Sequence, residues 1–307
     1  MRVFVTGADG FVGGRLVARL RERGDFELAS DRADLDVTDA GLVRASLSAA
    51  RPDAVVHLAA ITFVPAAEAD ALRTFRVNYL GTRNVLEAVR VSAPGARVLL
   101  VSSSTVYGSA APGAAPFDET AALRPANTYA RSKAAADLLG AAYAARGLDV
   151  VRARPWNHTG PGRPDAFVES SLARQIAEIE AGRRAARIEL GALDSVRDFL
   201  HVDDVVDAYL ALLERTAQAG VYNVASGRGI TIRALLDALL SLTRVRPELA
   251  TDPARLRPPD ASVGSAVKLN ARTGWAPQRP LELALAELLE HWRSEIHRSG
   301  SHFAGNL

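Results

Sequence analysis

Short apolar runs alternate with helical patterns through the first 154 residues. Runs such as Val98-Leu99-Leu100-Val101 show no polar alternation, which is typical of strands covered on both faces. This order predicts βαβ units and a parallel sheet. The predicted strands are 2–6, 26–30, 54–58, 97–102 and 150–154, and the predicted helices are 11–23, 39–50, 66–92 and 128–146.

The pattern changes after residue 154. Segments 155–192 and 223–307 contain more proline and glycine and fewer regular strands, whereas 196–213 predicts a strand end followed by a helix. We therefore expect an α/β fold with a doubly wound parallel sheet (1–154 plus 193–222) and a smaller, interleaved C-terminal lobe (155–192 plus 223–307). Ligands of such sheets bind in the crevice at the carboxyl ends of the strands, here under the lobe.

Composition narrows the class of protein. The chain has 307 residues and is 48% hydrophobic, enough for one large domain or one and a half. It has no cysteine, which excludes disulfides, thiolate zinc sites and a cysteine nucleophile, and we expect no metal. The N-terminal apolar run is too short for a signal peptide and no stretch reaches bilayer length, so we expect a soluble cytoplasmic protein without membrane contact.

Charge adds one exclusion. The formal net charge is +2 with a sequence pI near 9.1, and the arginines are dispersed without a block of like charges. Nucleic-acid binding requires a concentrated basic patch, so we expect no nucleic-acid partner.

A glycine-rich turn follows the first predicted strand. Gly7 permits the tight turn, Gly10 lets a pyrophosphate approach the helix N-terminus, and Gly13 lets the helix pack against the strand. The sequence therefore predicts a Rossmann-type dinucleotide site, with Phe11 and Val12 in the same turn.

The second predicted strand should be followed by the residues that bind the adenosine ribose. Asp31 would hydrogen-bond the ribose hydroxyls of NAD and repel a 2′-phosphate, whereas Arg32 would pair with that phosphate, so the cofactor is written NAD(P). Asp36 and Val37 reach the adenine edge, or alternatively Asp36 or Thr38 simply caps the second helix.

The third predicted strand ends in His57-Leu58-Ala59-Ala60. Small residues here allow close approach of the cofactor backbone, which places Leu58, Ala59 and Ala60 in the cofactor site. For His57 we favour a buried, hydrogen-bonded role over catalysis.

Tyr129 and Lys133 are the candidate catalytic pair, since they share one face of a predicted helix. A free tyrosine has a pKa of about 10, and a nearby ammonium, together with oxidised nicotinamide, lowers that pKa. Ser103 or a neighbouring serine ends a core strand and would bond the same sugar oxygen. The constellation predicts hydride transfer between NAD(P) and a sugar carbon, with Tyr129 transferring the proton.

The chain resembles, end to end, the sugar-nucleotide branch of the extended short-chain dehydrogenase/reductase superfamily. The resemblance is carried by residues 5–13, 57–60, 77–82, 102–108, 129–133 and 197–204. The loop 154–162 (RPWNHTGPG), with 167–168, 173–176 and 257–260, is similar to GDP-4-keto-6-deoxy-D-mannose reductases, which make GDP-D-rhamnose, and to the related GDP-mannose 4,6-dehydratases.

One position separates these two groups of enzymes. The dehydratases carry a glutamate base two residues before the tyrosine of the serine-rich strand motif, whereas here Thr105 stands two residues before Tyr107. The resemblance therefore implies NAD(P)H-dependent reduction of the C4 ketone of a GDP-sugar, although a carboxylate from another loop could also serve as the base for dehydration.

The resemblance also implies roles by position. Ser103, Tyr129 and Lys133 form the catalytic triad. Further cofactor contacts fall on Asn78, Ser102 and Pro155, with Asn78 also supporting the active-site helix or a structural water. Contacts to the sugar nucleotide fall on Ser103, Ser104, Thr105, Asn157, Arg174, Arg197 and Arg257, the arginines near the diphosphate because a guanidinium fork suits phosphate oxygens.

Helices 66–92 and 128–146 correspond to those that form a four-helix dimer interface in many members of the superfamily, which implies a homodimer. The alanines of the second helix would permit close packing there, or would pack onto the chain's own sheet; they are Ala134, Ala135, Ala136, Ala141 and Ala142.

Other functions stay open. The same triad serves a C4 epimerase with tightly bound cofactor, a 4,6-dehydratase, or a reductase that makes GDP-6-deoxy-D-talose. A dTDP-, UDP- or CDP-sugar would use much the same anion-binding chemistry. A non-catalytic dinucleotide sensor on the same fold is disfavoured by the tyrosine–lysine pair.

Overall fold

The computed structural model describes residues 1–30, 35–253, 256 and 258–301, with side chains as far as residue 298. The strands are β1 (Arg2–Thr6), β2 (Glu27–Ser30), β3 (Ala54–His57), β4 (Arg97–Val101), β5 (Val150–Pro155), β6 (Asn157–Thr159), β7 (Arg187–Leu190), β8 (Val196–His201), β9 (Gly220–Val224), β10 (Gly229–Thr231), β11 (Glu248–Thr251) and β12 (Ala261–Ser262). The helices are α1 (Phe11–Glu22), α2 (Ala40–Ala50), α3 (Val64–Ala69), α4 (Ala71–Phe75), α5 (Thr82–Ser92), α6 (Thr128–Ala144), α7 (Val168–Glu180), α8 (Val202–Leu213), α9 (Ile232–Ser241), α10 (Val267–Thr273) and α11 (Leu281–Ser301).

Six parallel strands form the main sheet in the order β2-β1-β3-β4-β5-β9. Because β2 and β3 lie on opposite sides of β1, the winding direction reverses there and a crevice opens at the carboxyl ends of the strands. The predicted doubly wound α/β fold is confirmed.

Neighbouring residues of the central strands enter two different cores. Val3 and Val5 pack with the apolar faces of α1 and α8, whereas Phe4 packs with those of α2 and α5. The side chains of a strand alternate between the faces of the sheet, so a continuous apolar run fills both helical layers.

The second lobe is built around β8, which pairs with β6 and β12 in parallel and with β10 antiparallel. β7 and β11 form a separate parallel pair. Helices α7, α9 and α11 bury their apolar faces together, with Leu172, Leu235 and Leu288 among the residues at the centre.

The segment 193–222, which we expected in the first domain, is divided between the sheets. Its strand β8 belongs to the second sheet, while α8 packs on the main sheet and β9 forms the edge strand. Conversely, Leu269 and Trp275, which we expected in the lobe, lie in the core beside α1 and α8. The chain therefore crosses between the two parts more often than the predicted boundaries allow.

The predicted helix 66–92 is interrupted. Asp70 leaves the helical region (φ −138°, ψ 80°), and its carboxylate accepts a 2.8 Å hydrogen bond from the Arg73 amide, so α3 ends and α4 begins. A π-helical turn, Arg76–Gly81, then leads into α5. This turn carries the buried Asn78.

The other predicted elements differ from the observed ones by one or two residues at an end. Asp39 lies outside α2 because its carboxylate caps the helix, accepting a 2.9 Å hydrogen bond from the Leu42 amide. The cap is therefore neither Asp36 nor Thr38, the two candidates from the sequence.

Candidate active site

A cavity of about 670 Å³ lies at the carboxyl ends of β1, β3, β4 and β5. Most of the predicted site residues line it: Gly7, Gly10, Phe11, Val12, Gly13, Leu58, Ala59, Ala60, Ser102, Ser103, Ser104, Thr105, Tyr129, Lys133, Pro155 and Asn157. A second cavity, of about 660 Å³, lies between α7, α9 and α11 and is lined by none of them. The structure thus brings the glycine turn, the serines and the tyrosine–lysine pair to one place.

Two glycines of the turn leave no room for a side chain. Gly7 has φ +71°, and a Cβ on it would lie 2.7 Å from the amide nitrogen of Ala59. A Cβ on Gly13 would lie 2.0 Å from the carbonyl oxygen of Gly7. The tight approach of β1, β3 and α1 therefore requires glycine at both positions.

The N-terminus of α1 opens into the cavity. Gly10 precedes the helix, no side chain caps it, and the Gly14 amide bonds the Gly10 carbonyl at 2.8 Å. The amides of Phe11, Val12 and Gly13 belong to the first turn, where a helix offers no intrahelical acceptor. Three N–H donors and the helix dipole are thus available to an anion.

His57 is buried and lies in a closed hydrogen-bond chain. Thr6 Oγ1 lies 2.8 Å from its Nδ1, and its Nε2 lies 3.0 Å from Thr82 Oγ1. Because Thr82 already donates to the Asn78 carbonyl at 2.7 Å, its hydroxyl must accept from His57 Nε2–H. Burial lowers the pKa of His57 to about 3. The histidine is therefore neutral and structural, as we favoured from the sequence.

Ser103 lies two residues after the end of β4 and caps a short 3₁₀-helical turn, Ser104–Tyr107. Its hydroxyl oxygen accepts hydrogen bonds from the Thr105 amide at 3.2 Å and from the Thr105 hydroxyl at 2.9 Å. With both lone pairs engaged, the Ser103 proton is left to be donated into the cavity.

The Tyr129 hydroxyl lies next to Ser103. Burial raises the pKa of Tyr129, while the hydrogen bond from Ser103 and the charge of Arg163 lower it. From the sequence we expected Lys133 and the nicotinamide to lower the pKa of Tyr129. In this structure the largest effect on that pKa is burial, which raises it. The phenol is consequently protonated at neutral pH.

Lys133 is buried one helical turn after Tyr129. Its ammonium donates a 2.5 Å hydrogen bond to the carbonyl of Val101, the last residue of β4. Burial lowers the pKa of Lys133 to about 8, and the carboxylate of Asp137 opposes that shift. The cation is thus held at the carboxyl edge of the sheet.

A buried network fixes the helix that carries the pair. Arg154 on β5 makes two 2.8 Å hydrogen bonds to the Asp137 carboxylate on α6 and one of 2.8 Å to the Tyr107 hydroxyl. That hydroxyl donates to Asn223 on β9 at 2.8 Å. Because one guanidinium joins three elements, α6 is held in a single position against the sheet.

Asn78 acts from outside the cavity. Its amide nitrogen donates to Ser132 Oγ and to the Ile61 carbonyl, both at 2.9 Å, and its oxygen accepts from the Ile61 amide at 2.8 Å. Ser132 in turn donates to the Tyr129 carbonyl at 2.7 Å. Asn78 therefore supports α6, which is one of the roles predicted for it. It is not among the residues that line the cavity, where the predicted cofactor contact would lie.

The predicted adenosine contacts are less well placed. Asp36 is exposed, and its carboxylate accepts a 2.8 Å hydrogen bond from the Thr38 amide, while Val37 is buried among core residues. Neither lines the cavity, although the preceding Leu35 does. Asp31 and Arg32 lie outside the described residues.

The predicted phosphate-binding arginines lie elsewhere. Arg174 on α7 is ion-paired with Asp165 and Glu178, and Arg197 bonds the Asp260 carboxylate at 2.8 Å. Neither lines the cavity, because carboxylates of the lobe hold both guanidinium groups. Arg257 lies outside the described residues.

Sequence reasoning missed several residues of the cavity wall, including Trp156, His158, Arg163, Phe167 and Tyr209. The first four lie in or just after the 154–162 loop, whose motif indicated a subfamily but no side-chain directions. Tyr209 lines the cavity from α8, in the apolar second half of that helix, where the pattern gives no signal that distinguishes one tyrosine.

The cavity suits a dinucleotide. The unpaired amides of α1 suit a pyrophosphate, Ala59 and Ala60 leave space beside them, and the Lys133 ammonium suits ribose hydroxyls. When bound, the cofactor would supply or accept a hydride.

Fold and site together define an NAD(P)-dependent oxidoreductase of the short-chain dehydrogenase/reductase type. The chain belongs to the NAD dependent epimerase/dehydratase family, whose model matches residues 3–225.

Individual relatives narrow the comparison. The chain is 41% identical to the GDP-6-deoxy-D-mannose reductase of Pseudomonas aeruginosa, over 96% of this chain and 98% of that protein. It is 31% identical to the GDP-6-deoxy-D-talose 4-dehydrogenase of Aggregatibacter actinomycetemcomitans, over 81% and 82%. Its fold matches that of RMD from Pseudomonas aeruginosa complexed with NADPH with a TM-score of 0.90 at 39% identity, covering 96% of this chain and 99% of that one.

Among the described residues, no helix has both the length and the apolar character needed to cross a membrane. Within the same residues, no group of three or more histidine or carboxylate side chains is placed to hold a metal ion.

Proposed function

We propose that this protein reduces the C4 ketone of GDP-4-keto-6-deoxy-D-mannose with NAD(P)H, giving GDP-D-rhamnose or its C4 epimer. The observation that carries the proposal is the composition of the cavity wall. It joins Ser103, Tyr129 and Lys133 to the glycine turn and has threonine at the position of a dehydratase base.

The absence of a suitable carboxylate favours reduction over dehydration. Among the described residues of the cavity wall, Asp9 in the glycine turn is the only carboxylate. Thr105 uses its hydroxyl to bond Ser103, so it offers no base for removal of a C5 proton. Reduction of a ketone requires a proton donor instead, and the triad contains one.

Proton delivery follows from the ionisation of the pair. Tyr129 is protonated because burial raises its pKa, so its phenol donates to the oxygen that develops charge during reduction. The single proton of Ser103, which bonds Tyr129 in this structure, would be donated to the same oxygen once the ketone is bound, since the lone pairs of Ser103 are filled by Thr105. Lys133, held on the Val101 carbonyl one helical turn after Tyr129, offers a donor for a ribose hydroxyl.

The names of two relatives support C4 of the sugar as the reacting carbon. One is named a GDP-6-deoxy-D-mannose reductase and the other a GDP-6-deoxy-D-talose 4-dehydrogenase. Both names describe oxidation or reduction involving a GDP-6-deoxyhexose, and the two named sugars differ in configuration at C4. We therefore propose C4 as the reacting carbon and GDP as the nucleotide.

We also propose a homodimer formed by α4, α5 and α6 with their copies. Exposed apolar side chains on these helices and the π-helical turn support it: Leu72, Leu80, Val91 and Leu138. The alanines of α6 do not all serve one of the two alternatives. Ala134 and Ala136 are buried against the chain's own core, whereas Ala142 is exposed.

A coupled assay tests the reductase proposal. GDP-mannose and a 4,6-dehydratase generate the ketone, and absorbance at the nicotinamide band is followed with NADH and NADPH in parallel. We expect one reduced cofactor consumed per ketone, and NMR of the product then assigns the C4 configuration. No consumption with either cofactor would contradict the proposal, and interconversion of intact nucleotide sugars without net consumption would indicate an epimerase.

A further inference from the structure

Arg163 is a cation of the active-site cavity whose charge lowers the pKa of Tyr129, and the proposed reduction assigns no ligand to its guanidinium. Among the described residues of the cavity wall, the other cation is Lys133, whose ammonium already bonds the Val101 carbonyl. The Arg163 side chain is only 11% exposed. Burial of a guanidinium is costly unless its charge and its N–H donors are matched, and Glu169 matches the charge through Nε alone.

Surrounding residues hold Arg163 in one orientation. Its Nε donates a 3.0 Å hydrogen bond to the buried carboxylate of Glu169, and its Cζ lies 3.4 Å from the ring centroid of Phe167. Its backbone carbonyl accepts a 2.6 Å hydrogen bond from Ser170. Arg15 of α1 donates to the Pro161 carbonyl at 2.8 Å, which ties this loop to the glycine-turn helix.

Among the described residues, no side chain or carbonyl accepts a hydrogen bond from the terminal nitrogens of Arg163. Glu169 takes only Nε, and within the described part of the chain neither Nη atom has a hydrogen-bond acceptor. The planar fork, which suits two oxygens of one phosphate or of two adjacent phosphates, is thus unfilled.

The free fork lies over the anion-binding end of α1. The Cζ of Arg163 is 5.4 Å from the ring centroid of Phe11, the first residue of that helix, and the His158 ring stacks on the same phenyl ring at 6.1 Å. The helix amides and the guanidinium therefore border one region of the cavity. In the part of the chain that the structure describes, neither set of donors has a protein acceptor.

We propose that Arg163, oriented by Glu169, binds a diphosphate group at the N-terminus of α1. The group is the pyrophosphate of the cofactor or the diphosphate of the sugar nucleotide, so the inference rests on the proposed function for its two ligands. Arg163 takes the role that the sequence assigned to Arg174 and Arg197, whose guanidinium groups are bound to carboxylates of the lobe.

Binding measurements without turnover distinguish the two sources. Dissociation constants of NADPH and of GDP are measured by calorimetry for the wild type and for Arg163→Gln. We expect one of the two constants to rise at least tenfold, about 1.4 kcal/mol, and the other to stay within twofold. A rise for NADPH assigns the cofactor pyrophosphate, and a rise for GDP assigns the sugar-nucleotide diphosphate.

Arg174→Gln is the matched control, since it removes an ion-paired guanidinium outside the cavity; both constants should stay within twofold. Unfolding temperatures of the ligand-free variants show whether each variant is folded. If Arg163→Gln does not fold, Arg163→Met takes its place, because the methionine stem still packs on Phe167. If the folded variant binds NADPH and GDP within twofold of the wild type, the proposal is overturned. That result would leave the reductase assay unaffected, so the two proposals fail separately.

Discussion

The side-chain hydroxyl of Thr105 donates a 2.9 Å hydrogen bond to the hydroxyl of Ser103. The Thr105 amide donates to the same oxygen at 3.2 Å. These two bonds orient the Ser103 proton toward Tyr129 and the cavity. Thr105, at the position where a dehydratase carries its base, therefore serves the donor side of a reduction.

Replacement of Thr105 by valine removes one of these donors at nearly constant volume. The lost hydrogen bond is worth about 1 kcal/mol, so we expect kcat to fall by about fivefold, with little change in cofactor affinity. Steady-state kinetics with the ketone substrate measure it. Ser103→Ala removes the acceptor and the donated proton together, so it should reduce kcat further than Thr105→Val does. Equal losses of kcat in the two variants would show that Ser103 contributes only through the orientation that Thr105 gives it.

Tyr129→Phe removes the proposed proton donor. Loss of a positioned acid–base group reduces kcat by about 10²–10⁴-fold, and we expect NADPH binding to remain within twofold of the wild type. Tyr209→Phe is the matched control, because it deletes a second phenol of the same cavity wall and should keep most of the activity. Comparable losses in the two variants would remove Tyr129 from its specific role.

The buried His57 predicts a dependence of stability on pH. Its pKa is about 3 in the folded protein and about 6.5 when unfolded, so the unfolded state binds the extra proton between these values. Its contribution to the free energy of unfolding is complete above pH 6.5 and falls as the pH is lowered, by about 2 kcal/mol at pH 5.

Urea unfolding at pH 8 and pH 5 measures this effect. His57→Gln should lose about 2 kcal/mol less between the two pH values than the wild type does. Thr82→Val, which breaks the same hydrogen-bond chain but keeps the imidazole, should retain most of the pH difference. A wild-type pH difference in His57→Gln would assign the acid sensitivity to other groups.

The proposed dimer face is tested at Leu138, whose side chain is 59% exposed on α6 and contributes little to the protomer core. Leu138→Glu places a charge in the interface, so we expect a dimer to become a monomer in sedimentation velocity. Val267→Glu alters an apolar residue that is 74% exposed on α10, away from this face, and should sediment like the wild type. A monomeric wild type, or a dimeric Leu138→Glu, would refute the interface.

The parts of the site that depend on local pattern could be predicted from the sequence. Gly7 and Gly13 are required by close backbone approach, and Tyr129 and Lys133 share a helix face because they are four residues apart. These constraints involve neighbouring residues or one strand–turn–helix unit, so they are visible without the fold.

The partners of charged side chains could not be predicted in the same way. Arg174 and Arg163 lie only eleven positions apart. The first is neutralised by Asp165 and Glu178, whereas the second bonds Glu169 through Nε alone among the residues that the structure describes. Which arginine remains available is decided by the packing of the loop onto α1, a tertiary contact. The break at Asp70 has a local cause, but an aspartate inside a helical pattern is also compatible with an uninterrupted helix.

Transfer of deuterium from NADPH or NADH that carries two deuterium atoms at C4 of the nicotinamide tests the central claim most directly. With GDP-4-keto-6-deoxy-D-mannose as substrate, NMR and mass spectrometry locate the label in the product. The account predicts one deuterium at C4 of the 6-deoxyhexose for each cofactor oxidised, and a strongly reduced rate of formation of that product in Tyr129→Phe. Product formation without deuterium in the sugar, or with deuterium at another carbon, would contradict reduction at C4.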